Sequence, residues 1–196
     1  PSISKIKSVA TTAFSLDNAL YHLKNISQKT HHVGSREHKN VQQYIVTELE
    51  KLGLETEIQI QTAVNKKWFA ATTAENIIAK IKGTSKGKSL LLLTHYDSNP
   101  HSSLGASDAG SGVVTILEGI RAFLAKNKQP KNDIIILISD AEELGLLGAK
   151  AFVEEHELAK NVGLVLNFEA RGSGGPSYML LETNGKNSQL MTEFMA

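Results

Sequence analysis

The sequence predicts an α/β protein, a three-layer α/β/α sandwich around a mostly parallel mixed sheet. Three short, strongly apolar runs, Lys88–Thr94, Asp133–Ser139 and Val162–Phe168, have the character of strands buried on both faces. Stretches with apolar residues at helical spacing separate them, and helical crossovers between neighbouring strands imply parallel pairing. No internal repeat or low-complexity segment interrupts the alternation.

The elements follow in order. Ser15 reads as an N-cap, with Leu16, Leu20, Leu23 and Ile26 on one helical face. The link 28–34 holds His31 and His32, which are expected to face solvent. Ser35 caps a second helix with Val41, Tyr44, Ile45, Leu49 and Leu52 inward and Gly53 as its stop. From Leu54 the period becomes two: Leu54, Thr56, Ile58 and Ile60 face one way, as in a half-buried strand near the sheet edge. Residues 63–74, with the sole Trp at Trp68, fit either a loop or part of a hairpin. Asn76–Lys82 is a strand closed by Gly83, and Gly112–Ala125 is a helix with Val113, Ile116, Leu117, Ile120 and Leu124 inward. Leu144–Glu155 is read as a helix in spite of Gly145 and Gly148. A Gly-rich turn, the short apolar run Tyr178–Leu181 and a helical pattern over Ser188–Met195 close the chain.

Composition narrows the functional classes. The 196 residues suit one domain, read here as residues 1–196, and are too few for a second full one. A formal net charge of +1 gives no reason to expect a nucleic-acid partner. The absence of Cys excludes disulfides, thiolate zinc sites and thiol nucleophiles, and leaves the compartment open. No apolar run approaches the roughly 18–20 residues that span a bilayer. Membrane association is therefore expected only through segments outside this chain. Because the chain opens at Pro1, we expect it to be a piece of a longer protein.

The chemistry lies at the strand ends. His95 and Asp97 follow the first apolar strand, Glu142 and Glu143 the second, and Glu169 the third, while Asp108 precedes the intervening helix. If the strands are parallel, these ends share the rim where open α/β sheets place their ligands. Carboxylates gathered there repel and raise one another's pKa unless a cation holds them. A sulfur-free O/N set suits zinc, manganese or cobalt, in one ion or two.

His95-x-Asp97, Gly105-Ala106-x-Asp108, Asp140-x-Glu142-Glu143 and Asn167-Phe168-Glu169-Ala170-Arg171-Gly172 resemble, in order, the motifs of the M28 zinc aminopeptidases. His32-Val33-Gly34-Ser35 is similar to the family's approach to its second helix. The wording around Glu169 is closest to the branch of endoplasmic-reticulum and vacuolar membrane metallopeptidases. The resemblance covers about residues 14–177. It implies a peptide substrate, an extracytoplasmic location and two zinc ions per complete domain. His95 and Glu143 would bind one zinc, Glu169 the other, and Asp108 would bridge them. Asp97 would orient His95, and Glu142 would be the general base. Family enzymes use a further His downstream as the last ligand, and none follows His156, so the domain is expected to be C-terminally truncated. Ala109 also stands where many relatives carry an acid or Asn.

Plainer readings exist for each residue. His95–Asp97 fits a satisfied core pair, Asp108 an N-cap, Glu142–Glu143 a first-turn acidic pair, and Glu169 an exposed loop acid. A single-zinc enzyme resembling glutaminyl cyclase and an inactive binding ectodomain are the alternative functions. Gly83-Thr84-Ser85-Lys86-Gly87 fits G-x-S-x-G but precedes a strand, so it is no nucleophile elbow. His156-Glu157 lacks the second His of H-E-x-x-H, since Lys160 stands there.

Overall fold

Five strands form one mixed sheet in the computed structural model, which describes residues 9–101, 103–170, 172, 174–182, 185 and 187–195. They are β1 (Thr56–Asn65), β2 (Ala70–Ile81), β3 (Ser89–His95), β4 (Ile134–Ser139) and β5 (Val162–Asn167). Their order is β1-β2-β4-β3-β5. β1 and β2 form an antiparallel hairpin, and β2 meets β4 antiparallel. β3 pairs parallel with both β4 and β5. The expected parallel set is thus three of the five strands, the ones that carry the candidate site residues, and their C-terminal ends share one rim.

Helices α1 (Leu16–Ile26), α2 (Arg36–Lys51) and α3 (Ser111–Leu124) cover one face, and α4 (Leu147–Glu155) covers the other. Strand alternation sorts the core accordingly. Ile77, Ile136 and Ile138 pack with Val41, Ile45, Leu49 and the α3 row Val113-Ile116-Leu117-Ile120. Their neighbours Ile78, Ile135 and Leu137 pack on Phe152 of α4. β5 lies at the sheet edge with Val165 at 46 % exposure, more open than a strand covered on both faces. Helix α5 (Ser188–Met195) matches the expected pattern, whereas Tyr178–Leu181 forms no regular element.

Both expected N-caps are present: Ser15 Oγ accepts from Asn18 N at 3.3 Å and Ser35 Oγ from His38 N at 3.2 Å. The inner face of α1 differs from expectation. Ala19 and Ile26 are buried with Leu23 against the core, while Leu16 and Leu20 are exposed. Polar contacts set this roll. Ser15 N donates to Glu118 Oε1 at 2.7 Å, and the Asn18 amide reaches Glu118 Oε2 at 3.4 Å. Residues 63–74 resolve as hairpin, with Thr62 paired to Thr73 and a turn between Asn65 and Ala70. Helix α4 starts three residues later than its apolar pattern suggests. Gly145 (φ 100°) and Leu146 (φ 62°) are left-handed, so helical geometry begins only at Leu147.

Glu118 is the buried charge of the helical layer. Arg121 Nε and Nη2 each donate to it at 2.7 Å, and Arg121 also bonds the carbonyls of Thr11 and Ala13. Burial pushes the Glu118 pKa up, but Arg121, Ser15 N and Asn18 outweigh it and leave it below the usual range. Replacing Glu118 by Ala is expected to cost about 3 kcal/mol, because Arg121 and Ser15 N lose their acceptor. A carboxyl with a lowered folded pKa contributes stability above its unfolded value of about 4.3. The gap between wild type and variant in urea melts should therefore persist at neutral pH and close as pH falls through that lowered pKa.

Candidate metal centre

β3 delivers His95 to the rim, and the ring is 1 % exposed. On one side, Nδ1 lies 3.0 Å from the Asp97 carbonyl and 3.2 Å from Asp97 Oδ1. On the other, Nε2 lies 2.9 Å from Asp108 Oδ1, 3.6 Å from Glu169 Oε1 and 3.9 Å from Glu142 Oε2. Asp108 sits on a wide turn, Ala106–Gly110, and leaves helical geometry at φ −110°, ψ 102°. The Asp108–Ala109 peptide is cis. Glu169 follows β5, whose end is tied to β3 by Phe168 N to Leu93 O at 2.8 Å and Thr94 Oγ1 to Phe168 O at 2.9 Å. Gly112 lets α3 approach this junction. A Cβ there would stand 2.3 Å from Thr94 Oγ1 and 2.6 Å from Phe168 O.

The acids after β4 are held by their backbone. Glu142 N donates to Asp97 Oδ1 at 3.0 Å and Glu143 N to Asp97 Oδ2 at 3.1 Å. Asp97 therefore orients the His95 ring and anchors the Glu142–Glu143 turn. Two residues before Glu142, fully buried Asp140 accepts from His38 Nε2 and Ala141 N at 2.7 Å each and from Glu75 N at 2.9 Å. The His38 ring stacks on Tyr96 at 4.7 Å. Ala141, with φ 53°, then turns the chain so that the next two amides meet Asp97.

The electrostatics are those of a carboxylate cluster around one base. Burial works against a charged His95, yet Asp108, Asp97 and Glu169 hold its pKa up to about 12. The His95 bond in turn draws Asp108 below the usual carboxylate range. Burial pushes Glu142 up to about 7, opposed by the His95 charge and reinforced by Glu169, Asp97 and Glu143. Burial likewise raises Glu143.

One ligand atom each from His95, Asp108 and Glu169 lie within 4.8 Å of one another, close enough to hold a metal ion. This nitrogen-and-carboxylate set fits a borderline divalent cation such as zinc, and the far ring nitrogen has the carboxylate partner usual for a ligating His. Glu143 is not in that group. Asn99 Nδ2 donates to its Oε2 at 2.8 Å. The structure thus brings His95 together with Asp108 and Glu169, while the Glu143 carboxylate turns to Asn99. Arg171 of the last motif lies outside the described residues. A cavity of about 40 Å³ opens beside Glu143, lined by His32, Val33, Asp97, Ser98, Pro100 and Leu144.

Sequence reasoning missed His38, Asp140 and Asn99 as supports. Asp140 offered a signal, being an acid at the end of an apolar strand like the others. His31, expected in solvent, is 1 % exposed. Its backbone exchanges bonds with Ser98, and burial lowers its pKa.

Comparison with known proteins adds an independent line. The profile of Peptidase family M28 matches residues 76–196. A vacuolar membrane protease of Candida tropicalis is 33 % identical over 178 residues, covering 86 % of this chain and 19 % of its own length. The chain spans about a fifth of the length of the curated relatives it matches. Among solved structures, a leucine aminopeptidase precursor from Bacteroides thetaiotaomicron aligns with a TM-score of 0.68 at 26 % identity, covering 82 % of this chain and 63 % of that one. A glutaminyl cyclase from the same organism aligns with a TM-score of 0.67 at 26 % identity, covering 79 % and 61 %.

The buried His38–Asp140 bond makes a prediction. His38→Ala should lower stability by about 2–3 kcal/mol, the cost of leaving a buried carboxylate short of a charge-assisted donor. Amide exchange over residues 140–146 should accelerate more than in the sheet core. Uniform acceleration would mean that the pair does not hold this turn.

Proposed function

The chain belongs to peptidase family M28, and from that premise we propose that it carries a zinc-dependent exopeptidase site that hydrolyses N-terminal peptide bonds. The observation behind this reading is the convergence of His95, Asp108 and Glu169 with Glu142, whose carboxylate stands 3.9 Å from His95 Nε2. A free acid beside a ligand cluster is what metal-assisted hydrolysis requires.

In this reading His95, Asp108 and Glu169 would hold a zinc ion, and Glu143 would be available to a second. Zinc, when bound, supplies Lewis-acid chemistry, polarising the scissile carbonyl and making water a stronger acid. Asp97 fixes the tautomer of His95 by accepting from Nδ1–H. Glu142 takes a proton from the attacking water and returns it to the leaving amine, the two halves of general base and general acid work. Its backbone is pinned to Asp97, so the carboxylate addresses the same point from turn to turn. Glu143 lies on the same turn, and its Asn99 partner holds its carboxylate apart from that of Glu142. The substrate in this reading is a peptide.

The relatives' names, vacuolar membrane protease, motivate a membrane-associated setting, and we propose the extracytoplasmic side for this domain. Among the described residues no helix is long and apolar enough to cross a membrane. A second reading has its own observation. One imidazole and two carboxylates suffice for a single ion, and the fold aligns with a glutaminyl cyclase. That reading makes the protein a single-zinc cyclase of N-terminal Gln.

Glu142→Gln should reduce kcat by about 10²- to 10⁴-fold with KM and zinc content nearly unchanged. Asp97→Ala should weaken zinc binding about 10- to 100-fold in a chelator competition. A peptide with N-terminal Gln separates the two readings by product mass: free Gln plus a shortened peptide supports the exopeptidase, and loss of ammonia with the chain intact supports the cyclase. Wild-type protein that is zinc-saturated and yields neither product contradicts both.

A further inference from the structure

We propose that the tip of the β1–β2 hairpin, Lys66-Lys67-Trp68-Phe69, is a membrane-surface contact that places two aromatic side chains among anionic lipid headgroups. The tip is the most exposed aromatic feature among the described residues, with Trp68 at 59 % and Phe69 at 95 % exposure. Lys66 and Lys67 are exposed beside them, and no acid occurs between Glu57 and Glu75. At the base of the tip Lys150 donates to Val64 O at 2.7 Å and lies 3.9 Å from Glu154 Oε1.

The tip is built rather than loose. Asn65 Oδ1 accepts from Lys67 N at 3.0 Å and Trp68 N at 3.2 Å, and its amide donates to Gly145 O at 3.0 Å. A Cβ on Gly145 would meet Trp68 Cε3 at 3.0 Å, so the indole is seated on that glycine by one edge. Phe69, with φ 51°, turns its side chain outward. Holding these groups in place in advance reduces the ordering cost of any contact.

Shape and charge select the occupant. A peptide side chain would need a concave pocket, whereas the tip is convex and Phe69 is almost wholly in water. A convex aromatic tip suits a deformable surface, with Trp and Phe at the headgroup level and flanking Lys reaching phosphates and carboxylates. Because β2 runs antiparallel to β4, the tip projects from the rim that carries His95 and Glu142. The inference does not depend on the peptidase reading.

Trp68 is the only Trp of the chain, so its fluorescence reports on the tip directly. On titration with phosphatidylcholine vesicles containing 30 mol % phosphatidylserine (a chosen composition, about one anionic lipid in three), its emission should shift to the blue and acrylamide quenching should fall. The protein should also float with those vesicles and much less with phosphatidylcholine alone. Phe69→Ser should weaken this binding about tenfold or more, and Lys66→Gln with Lys67→Gln by a similar factor. Lys126→Gln with Lys128→Gln, at the opposite rim, should change nothing. The inference is overturned if vesicles leave the Trp68 emission unchanged, or if the tip variants bind vesicles as the wild type does. It is equally overturned if only a soluble apolar peptide shifts the emission, which would give the tip to substrate.

Discussion

The carboxylate of Asp97 has no exposure to solvent, and it is shared among three donors from two strand ends. His95 Nδ1 approaches Oδ1 at 3.2 Å, while the amides of Glu142 and Glu143 take Oδ1 and Oδ2. A buried carboxylate without such partners would be strongly destabilising or would pick up a proton. The pairing of His95 with Ser139 across β3 and β4 is what brings the donors to it. The ring that offers a ligand atom and the turn that offers two acids are therefore positioned by one group. Asp140, two residues before Glu142, anchors the turn from below through His38 and Glu75 N. The geometry of the centre follows from this pair of buried acids more than from the less buried Asp108, Glu142, Glu143 and Glu169.

Much of this was legible beforehand because it is encoded locally. Apolar runs ending in His95, Glu142–Glu143 and Glu169 declare the strands, and parallel pairing brings their ends to one rim. Ser15 and Ser35 announce helices through a hydroxyl three residues from an unpaired amide, and both hydroxyls are found there. The wide turn carrying Asp108 sits where a strand-to-helix loop had to be.

What was not legible depends on partners distant in sequence. The roll of α1 is set by Glu118, 103 residues from Ser15, so the Leu16–Leu20 periodicity points to the wrong face. The later start of α4 follows from left-handed residues at Gly145 and Leu146, although Leu144 and Leu146 extend the apolar pattern. His31 looked like a loop residue and is buried against Ser98. The grouping of His95 with Glu169, with Glu143 turned to Asn99, is a matter of side-chain direction that motif order does not contain. The hairpin tip carried only a lone Trp in a stretch of ambiguous pattern, and its meaning depends on exposure.

The proposed metal site rests on the M28 membership and on the group of ligand atoms from His95, Asp108 and Glu169. Anomalous diffraction at the zinc edge from crystals of the zinc-loaded protein locates the ion without reference to activity. The account predicts an ion coordinated by His95 Nε2 and by carboxylate oxygens of Asp108 and Glu169, with Asp97 retained on His95 Nδ1. A zinc peak away from these three residues, or a zinc-saturated protein in which His95 still bonds Asp108 directly, would contradict it.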